Sequence, residues 1–315
     1  MIAGIEKESA PGAEGRAMPA SRRPAVSVVI PAYNEQGAVR TTVLAVRHAL
    51  DGAGVAHEIV VVNDGSTDGT ADEVSGSGAR LIDFPENIGY GHALKAGIAA
   101  GDSELVAILD ADGTYPPDAL PAMIRMAAHS DMVVGDRGAA MNNVPWVRRP
   151  AKWILKLLAS VVAQRRINDV NSGLRVFRRT ALEQFIPLLP DGYSFTTTIT
   201  LCMLATNLTV VYLPINYGRR IGRSKIRARH FFKFLFLVIR LTVFFQPLRI
   251  FLPLGAVLFV GGVAKAIHDR DLSPVSIYAM ISAILVWSLG LLADMITRLH
   301  FRRRGSGERD GAARW

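Results

Sequence analysis

Cysteine is almost absent from this chain: Cys202, in the apolar context LCML, is the only one among 315 residues. An internal disulfide is therefore excluded, and no Cys/His set has the spacing of a zinc site. That fits a reducing compartment for the main domain. No glycine-rich loop ends in Lys-Ser or Lys-Thr, which excludes a P-loop nucleoside triphosphatase. GYGHAL (Gly89–Leu94) fails the dinucleotide pattern at its third glycine and follows the third expected strand rather than the first. The first 24 residues are small, polar and rich in Gly, Ala and Pro. They hold no apolar core for a signal peptide and read as a disordered leader. Acidic residues are the minority, 27 against 36 Lys and Arg, and the net charge of +9 calls for an anionic partner. Nucleic acid is the poorer choice. No nucleic-acid-binding module is recognisable, and the basic residues crowd beside apolar segments, where headgroups and lipid phosphate are the simpler partner.

Half of the residues are hydrophobic, and they are not spread evenly. From Val26, short apolar runs alternate with longer amphipathic stretches. VSVVI (26–30), EIVVVN (58–63), RLIDF (80–84), LVAIL (105–109) and MVVG (132–135) read as strands buried on both faces. Residues 37–50, 70–75, 90–100 and 117–128 read as helices. Strand and helix in alternation predict an α/β fold with a mostly parallel sheet and helices on both faces. Such sheets bind ligands beyond the carboxyl ends of their strands. PAYNE follows the first strand, DGSTDG the second and DADG the fourth. Tyr33, Glu35, Asp64, Asp110 and Asp112 are therefore expected to converge on one crevice.

The stretch LVAILDADGTYPPD (105–118) ends an apolar run on two carboxylates and then turns. An acidic strand-to-loop junction that caps the next helix would explain it. So would a divalent cation site, since Asp oxygens suit Mg²⁺ or Mn²⁺ bridging to substrate phosphates. With one residue between them in an extended chain, Asp110 and Asp112 are read as pointing to opposite sides, one on nucleotide and one on metal.

The last third changes character. Residues 248–267 and 274–297 are apolar runs long enough to cross a bilayer core of about 30 Å. The linker HDRDLS is short, and basic residues flank both outer ends, so both flanks belong on the cytoplasmic side with the main domain. Residues 301–315 form a basic tail. Residues 227–247 are different. At 100° per residue Arg229, His230, Lys233 and Arg240 fall in one arc of about 100°. A transmembrane placement would bury Lys233 and Arg240 at roughly 2.5–3.5 kcal/mol each, so a helix lying in the interface is expected. Residues 146–166 read either as a second interfacial helix or as a helix packed on the sheet.

PAYNE, VVNDGSTDGT, NIGYGHALKAG and LDADGTYPPD together resemble the nucleotide-binding half of family 2 inverting glycosyltransferases of the GT-A fold, over residues 26–226. The resemblance implies that Pro31, Tyr33, Glu35, Asp64, Lys95, Asp110 and Ala111 surround the nucleotide sugar. It also implies that Asp110 and Asp112 form the metal-binding DxD pair. VVGDR, NDVNSGLRVFRR, YSFTTTITL and GRRIGRSKI resemble the acceptor side of the polyprenyl-phosphate branch, which includes dolichyl-phosphate mannose synthases. From that branch, Arg175, Arg219, Arg220 and Lys225 would hold the acceptor phosphate, with Arg137, Asp112 and Asp169 as catalytic residues. Asp169 is equally well read as a helix cap, and Ser172 and Thr196–Thr198 as polar groups near sugar or phosphate. Many relatives carry Gln where this chain has Thr114. The implied activity is transfer of one sugar from a UDP- or GDP-linked donor to polyprenyl phosphate. The alternatives are a glycolipid or polysaccharide synthase with a hydroxyl acceptor and an inactive nucleotide-binding scaffold. The only Arg-Trp pair, Arg314–Trp315, lacks the Gln-x-x-Arg-Trp context of the processive synthases.

Overall fold

The computed structural model describes residues 25–138, 168–192, 194–218, 239–240 and 242–312. The expected leader, the 146–166 helix and nearly all of the 227–247 helix lie outside the described residues.

Five strands fall within two residues of their expected bounds: β1 (Val26–Ala32), β2 (His57–Asp64), β3 (Arg80–Phe84), β4 (Leu105–Ile108) and β5 (Met132–Asp136). Two more were not foreseen, β6 (Arg175–Arg178) and β7 (Val210–Pro214). The sheet order is β3-β2-β1-β4-β6-β5-β7. β6 enters between β4 and β5 and runs antiparallel to both, while the other pairs are parallel. The insertion brings the 168–174 segment to the carboxyl end of β4. Burial on both faces does not extend to β3, an edge strand with Arg80 and Asp83 exposed.

The helices are α1 (Val39–Gly52), α2 (Thr70–Ser75), α3 (Tyr90–Ala100), α4 (Leu120–Ala127), α5 (Arg179–Glu183), α6 (Phe195–Ala205), α7 (Leu248–Asp269) and α8 (Pro274–Ala312). The period-2 geometry of a strand sends alternate residues of β1 to two separate cores. Val29 joins Leu94 and Ile98 of α3 and Phe195 and Ile199 of α6. Val28 and Ile30 join Val39, Val43 and Val46 of α1 and Leu120 and Met123 of α4. Each such side chain contributes about 1.5–3 kcal/mol when fully buried. α3 lies close on the sheet because Gly97 has no side chain; a Cβ there would sit 2.3 Å from Val29 Cγ1.

α7 and the 274–297 part of α8 are both long and apolar enough to cross a membrane. Their most apolar windows are only 11% and 17% buried, whereas the core helix of a soluble protein would be mostly covered. The two pack as a hairpin. Gly290 and Gly255 permit the contact, since a Cβ would meet Phe251 Cβ at 2.6 Å and the Trp287 indole at 2.2 Å. Lys265 pairs with Asp269 at 2.8 Å at the far end of α7. The near ends meet the sheet domain. Phe245 belongs to the α3/α6 core with its ring 6.5 Å from Phe185, and Thr297 Oγ1 donates to Phe244 O at 2.9 Å.

Candidate active site

The β1–α1 and β2–α2 loops are fastened together side by side. β1 pairs with β4 only as far as Val29, whose carbonyl accepts from Leu109 N–H. Pro31, two residues on and facing the same side, lies past that ladder, so its missing N–H costs nothing. Asn34 then takes a left-handed φ of 55°, which Asn tolerates. Its Oδ1 accepts Thr67 N–H at 2.8 Å, and its own N–H donates to Ser66 Oγ at 2.9 Å. Glu35 N–H donates to Thr70 Oγ1 (2.9 Å) and Gln36 N–H to Asp68 Oδ2 (3.2 Å). Much of DGSTDG is thus spent holding the PAYNE loop. Tyr33 and Glu35 are half-buried at its rim.

Asp64, expected on the nucleotide, is 3% exposed and accepts the N–H of Ile88 (2.9 Å), the N–H of Gly89 (3.0 Å) and Nδ2 of Asn87 (3.0 Å). It ties the 86–89 loop to the end of β2. Gly65 makes room with a φ of +68°; a Cβ there would lie 2.3 Å from the Glu86 carbonyl carbon. Lys95, also expected near the nucleotide, pairs with Asp191 Oδ1 at 2.8 Å. The Asp191 carbonyl accepts Gly91 N–H (2.7 Å) and His92 N–H (3.1 Å), so the amino end of α3 is filled by the protein itself. His92 packs edge-on against Phe84, as a packed histidine should.

The DxD pair lies just past β4, which ends at Ile108. Strand geometry would in fact put residues two apart on the same face, so it does not oppose the two carboxylates; Asp112 lies instead in a turn completed by Gly113 at φ +69°. The two carboxylates do have different partners. Asp110 Oδ1 accepts from Tyr90 Oη at 2.9 Å, and its carboxylate lies against Gly173. Asp112 Oδ1 accepts Thr114 N–H (3.1 Å) and Thr114 Oγ1 (2.6 Å). Thr114 therefore braces Asp112. Ala111 is buried, its carbonyl accepting from Thr42 Oγ1 at 3.0 Å. Tyr115 Oη accepts Gly173 N–H at 2.7 Å. Burial, then the Asp110 charge, pushes the phenols of Tyr90 and Tyr115 well above their ordinary range.

Asp169, 1% exposed, is gripped by Arg137: Nε to Oδ2 at 2.7 Å and a terminal nitrogen to Oδ1 at 2.9 Å, with Asn171 N–H at 3.0 Å. Burial pushes the Asp169 carboxyl up, but the Arg137 hydrogen bonds and charge outweigh it and hold the group below its usual value. The Arg137 guanidinium also stands 5.4 Å over the Tyr217 ring. Arg175 is a correction. It is fully buried, donating to Ser172 O (2.8 Å), Val170 O (2.8 Å) and Thr200 Oγ1 (2.6 Å). It shapes the 170–172 turn and presents no surface to an acceptor phosphate. Ser172 and Thr196–Thr198 are buried too: Thr197 bonds Asn171, and Thr198 bonds the Ser194 carbonyl. Arg219, Arg220 and Lys225 lie outside the described residues. Sequence reasoning missed Tyr90, which stands inside the NIGYGHALKAG motif, and Gly173, which stands inside NDVNSGLRVFRR.

Residues 27–186 match Glycosyl transferase family 2. The chain belongs to that family. Residues 246–299 match a second family, the GtrB C-terminal hairpin. With its two exposed apolar helices, this glycosyl transferase family member is a membrane protein. Among curated relatives, undecaprenyl-phosphate 4-deoxy-4-formamido-L-arabinose transferase of Pseudomonas aeruginosa (strain LESB58) is 32% identical over 188 residues, 54% of each chain. The chain thus spans about half the length of that relative. Dolichyl-phosphate hexose transferase of Haloferax volcanii is 32% identical over 203 residues, 64% of this chain and 86% of its own. The fold is that of glucosyl-3-phosphoglycerate synthase from Mycobacterium tuberculosis, solved with Mn²⁺, UDP-glucose and phosphoglyceric acid. The TM-score is 0.54 at 20% identity, covering 69% and 79% of the two chains. Mannosyl-3-phosphoglycerate synthase from Rubrobacter xylanophilus gives 0.53 at 20% identity, covering 72% and 74%.

Proposed function

We propose that this chain is a membrane-anchored inverting glycosyltransferase that moves one sugar from a UDP- or GDP-linked donor to polyprenyl phosphate. The observation that carries the reading is the joint between site and anchor. The sheet whose carboxyl edge bears Asp110 and Asp112 shares its core with Phe245, at the root of the apolar hairpin. A donor site so mounted works beside the lipid. The names of both relatives specify polyprenyl or dolichyl phosphate acceptors, which supports the same class here. The domain faces the cytoplasm, with two spans behind it, as the flanking basic residues favour.

Tyr33, Glu35 and Pro31 at the end of β1 form one wall for the nucleotide, with the Asp64-held loop at the end of the neighbouring β2 beside them. Among the described residues no three His, Cys, Asp or Glu side chains gather into a complete cation cage. Asp112, with Asp110, supplies the one or two carboxylates that Mg²⁺ or Mn²⁺ takes from a protein when phosphates and water complete its shell. When bound, the metal screens the charge of the leaving nucleoside diphosphate. The acceptor needs no strong base, since a phosphate monoester with a second pKa near 6 is mostly dianionic at pH 7. It needs in-line placement and charge neutralisation. Arg137, oriented by Asp169, supplies a rigid guanidinium for that purpose, and Arg219, Arg220 and Lys225 are further cations. Asp169, held as a charged anchor, positions Arg137 and takes no proton.

The test is an assay of the full-length protein in detergent with a panel of nucleotide sugars, with and without Mn²⁺, offering polyprenyl phosphate or polyprenol. Label should enter only the phosphorylated lipid, and Asp112→Ala should abolish transfer while the protein still inserts. Transfer to polyprenol, or wild-type turnover by the variant, would contradict the proposal.

A further inference from the structure

We infer that Tyr90 is a positioning residue for the donor site, acting through Asp110: its hydroxyl holds that carboxylate in a slot over the bare Cα of Gly173. This rests on the donor reading above and deepens it. Three segments far apart in the chain build the slot. Tyr90 opens α3, Asp110 follows β4, and Gly173 precedes β6. Tyr90 Oη donates to Asp110 Oδ1 at 2.9 Å. A Cβ on residue 173 would lie 2.3 Å from Oδ2, 2.6 Å from Cγ and 2.7 Å from Oδ1. The carboxylate therefore lies flat on glycine, with the phenol fixing its rotation. Gly173 is itself pinned, its N–H donating to Tyr115 Oη at 2.7 Å.

The phenol is held as firmly. Gly89 and Gly91 on either side of Tyr90 are packed beneath residues 190–192, and Cβ atoms there would meet Asp191 O at 2.5 Å and Pro190 O at 2.1 Å. Lys95, one turn along α3, grips Asp191 from the other side. The Tyr90 ring also packs on the α3/α6 core. Phenylalanine would preserve that packing and remove only the hydroxyl, which separates positioning from space-filling.

The experiment is a double-mutant cycle on the full-length protein in detergent, comprising wild type, Tyr90→Phe, Asp110→Asn and the double variant. Each is titrated calorimetrically with UDP and with GDP in Mn²⁺, and its melting temperature is recorded. Losing a hydrogen bond to a charged group should weaken nucleoside diphosphate binding by about 10-fold in Tyr90→Phe, with little change in melting temperature. In the Asp110→Asn background the same substitution should change affinity by less than about twofold, because the two act as one unit. Wild-type affinity in Tyr90→Phe, or an equal loss in both backgrounds, would overturn the inference. Failure of the wild type to bind either nucleotide would overturn the donor reading along with it, and that result needs no variant.

Discussion

A carboxylate and a guanidinium that meet nearly out of water cannot be parted cheaply or titrated independently, and Asp169 with Arg137 is such a pair. Neutralising Asp169 takes its carboxylate charge away from a largely buried cation, so Asp169→Asn should destabilise the domain by about 3 kcal/mol. The pH dependence has a definite sign. Asp169 is held below its ordinary value of 3.8, so its stabilisation is fully present above that value and is lost as pH falls through the folded-state pKa. Thermal melts between pH 7 and pH 3 should show the wild type losing its advantage over Asp169→Asn at the acidic end; a constant difference would contradict the assignment. At this scale the sequence told acidic residues from others but not bound from buried. Asp110, Asp112 and Asp64 were legible as strand-end carboxylates. That Asp64 spends its oxygens on Asn87, Ile88 and Gly89 was not, because those contacts depend on a loop folding back. Arg175 was expected on the acceptor phosphate from its place in NDVNSGLRVFRR, and a guanidinium in that motif looks the same in sequence whether it faces solvent or two carbonyls and a threonine.

The elements repeat the lesson at larger size. β1 to β5 announced themselves by apolar runs with turn residues behind them. β6 is RVFR, charged at both ends, so no hydrophobic run marks it, and its antiparallel entry comes from pairing with β4 and β5 rather than from anything local. Without it, the 168–174 segment could not have been placed beside Asp110. α3 was correctly bounded, but its function as a seat for residues 190–192 was hidden. That seat gives a sharp expectation for Gly91. In an exposed helix, Gly→Ala stabilises by roughly 1 kcal/mol through backbone entropy. Here a Cβ would sit 2.1 Å from Pro190 O, so Gly91→Ala should instead destabilise by about 1–3 kcal/mol and loosen the Asp191 contact with α3. Hydrogen exchange at Gly91 and His92, whose N–H groups donate to Asp191 O, would report the loosening directly. A stabilised variant with unchanged protection would show that the strap yields freely.

For the molecule as a whole, the consequence of the hairpin is directional. Both of its near ends touch the sheet domain, through Phe245 and through Thr297 against Phe244, while the 270–273 turn lies at the far end of two helices. A helix of 22 residues spans about 33 Å at 1.5 Å per residue, enough for a hydrocarbon core of about 30 Å. The domain and the turn should therefore lie on opposite sides of the membrane. The native cysteine makes this simple to examine. Cys202 is buried in α6 and its thiol is pushed up to about 12 by burial, so it should stay silent toward polar thiol reagents. Asp271→Cys places a single exposed thiol in the turn, and Asp72→Cys places one on the surface of the domain. With an impermeant maleimide on intact cells, Asp271→Cys should label and Asp72→Cys should label only after lysis. Labelling of both positions from outside would put the proposed donor site outside the cell and contradict this orientation. Asp271→Cys that stays silent on intact cells and labels only after permeabilisation, as Asp72→Cys does, would mean that the hairpin does not carry the turn across the bilayer.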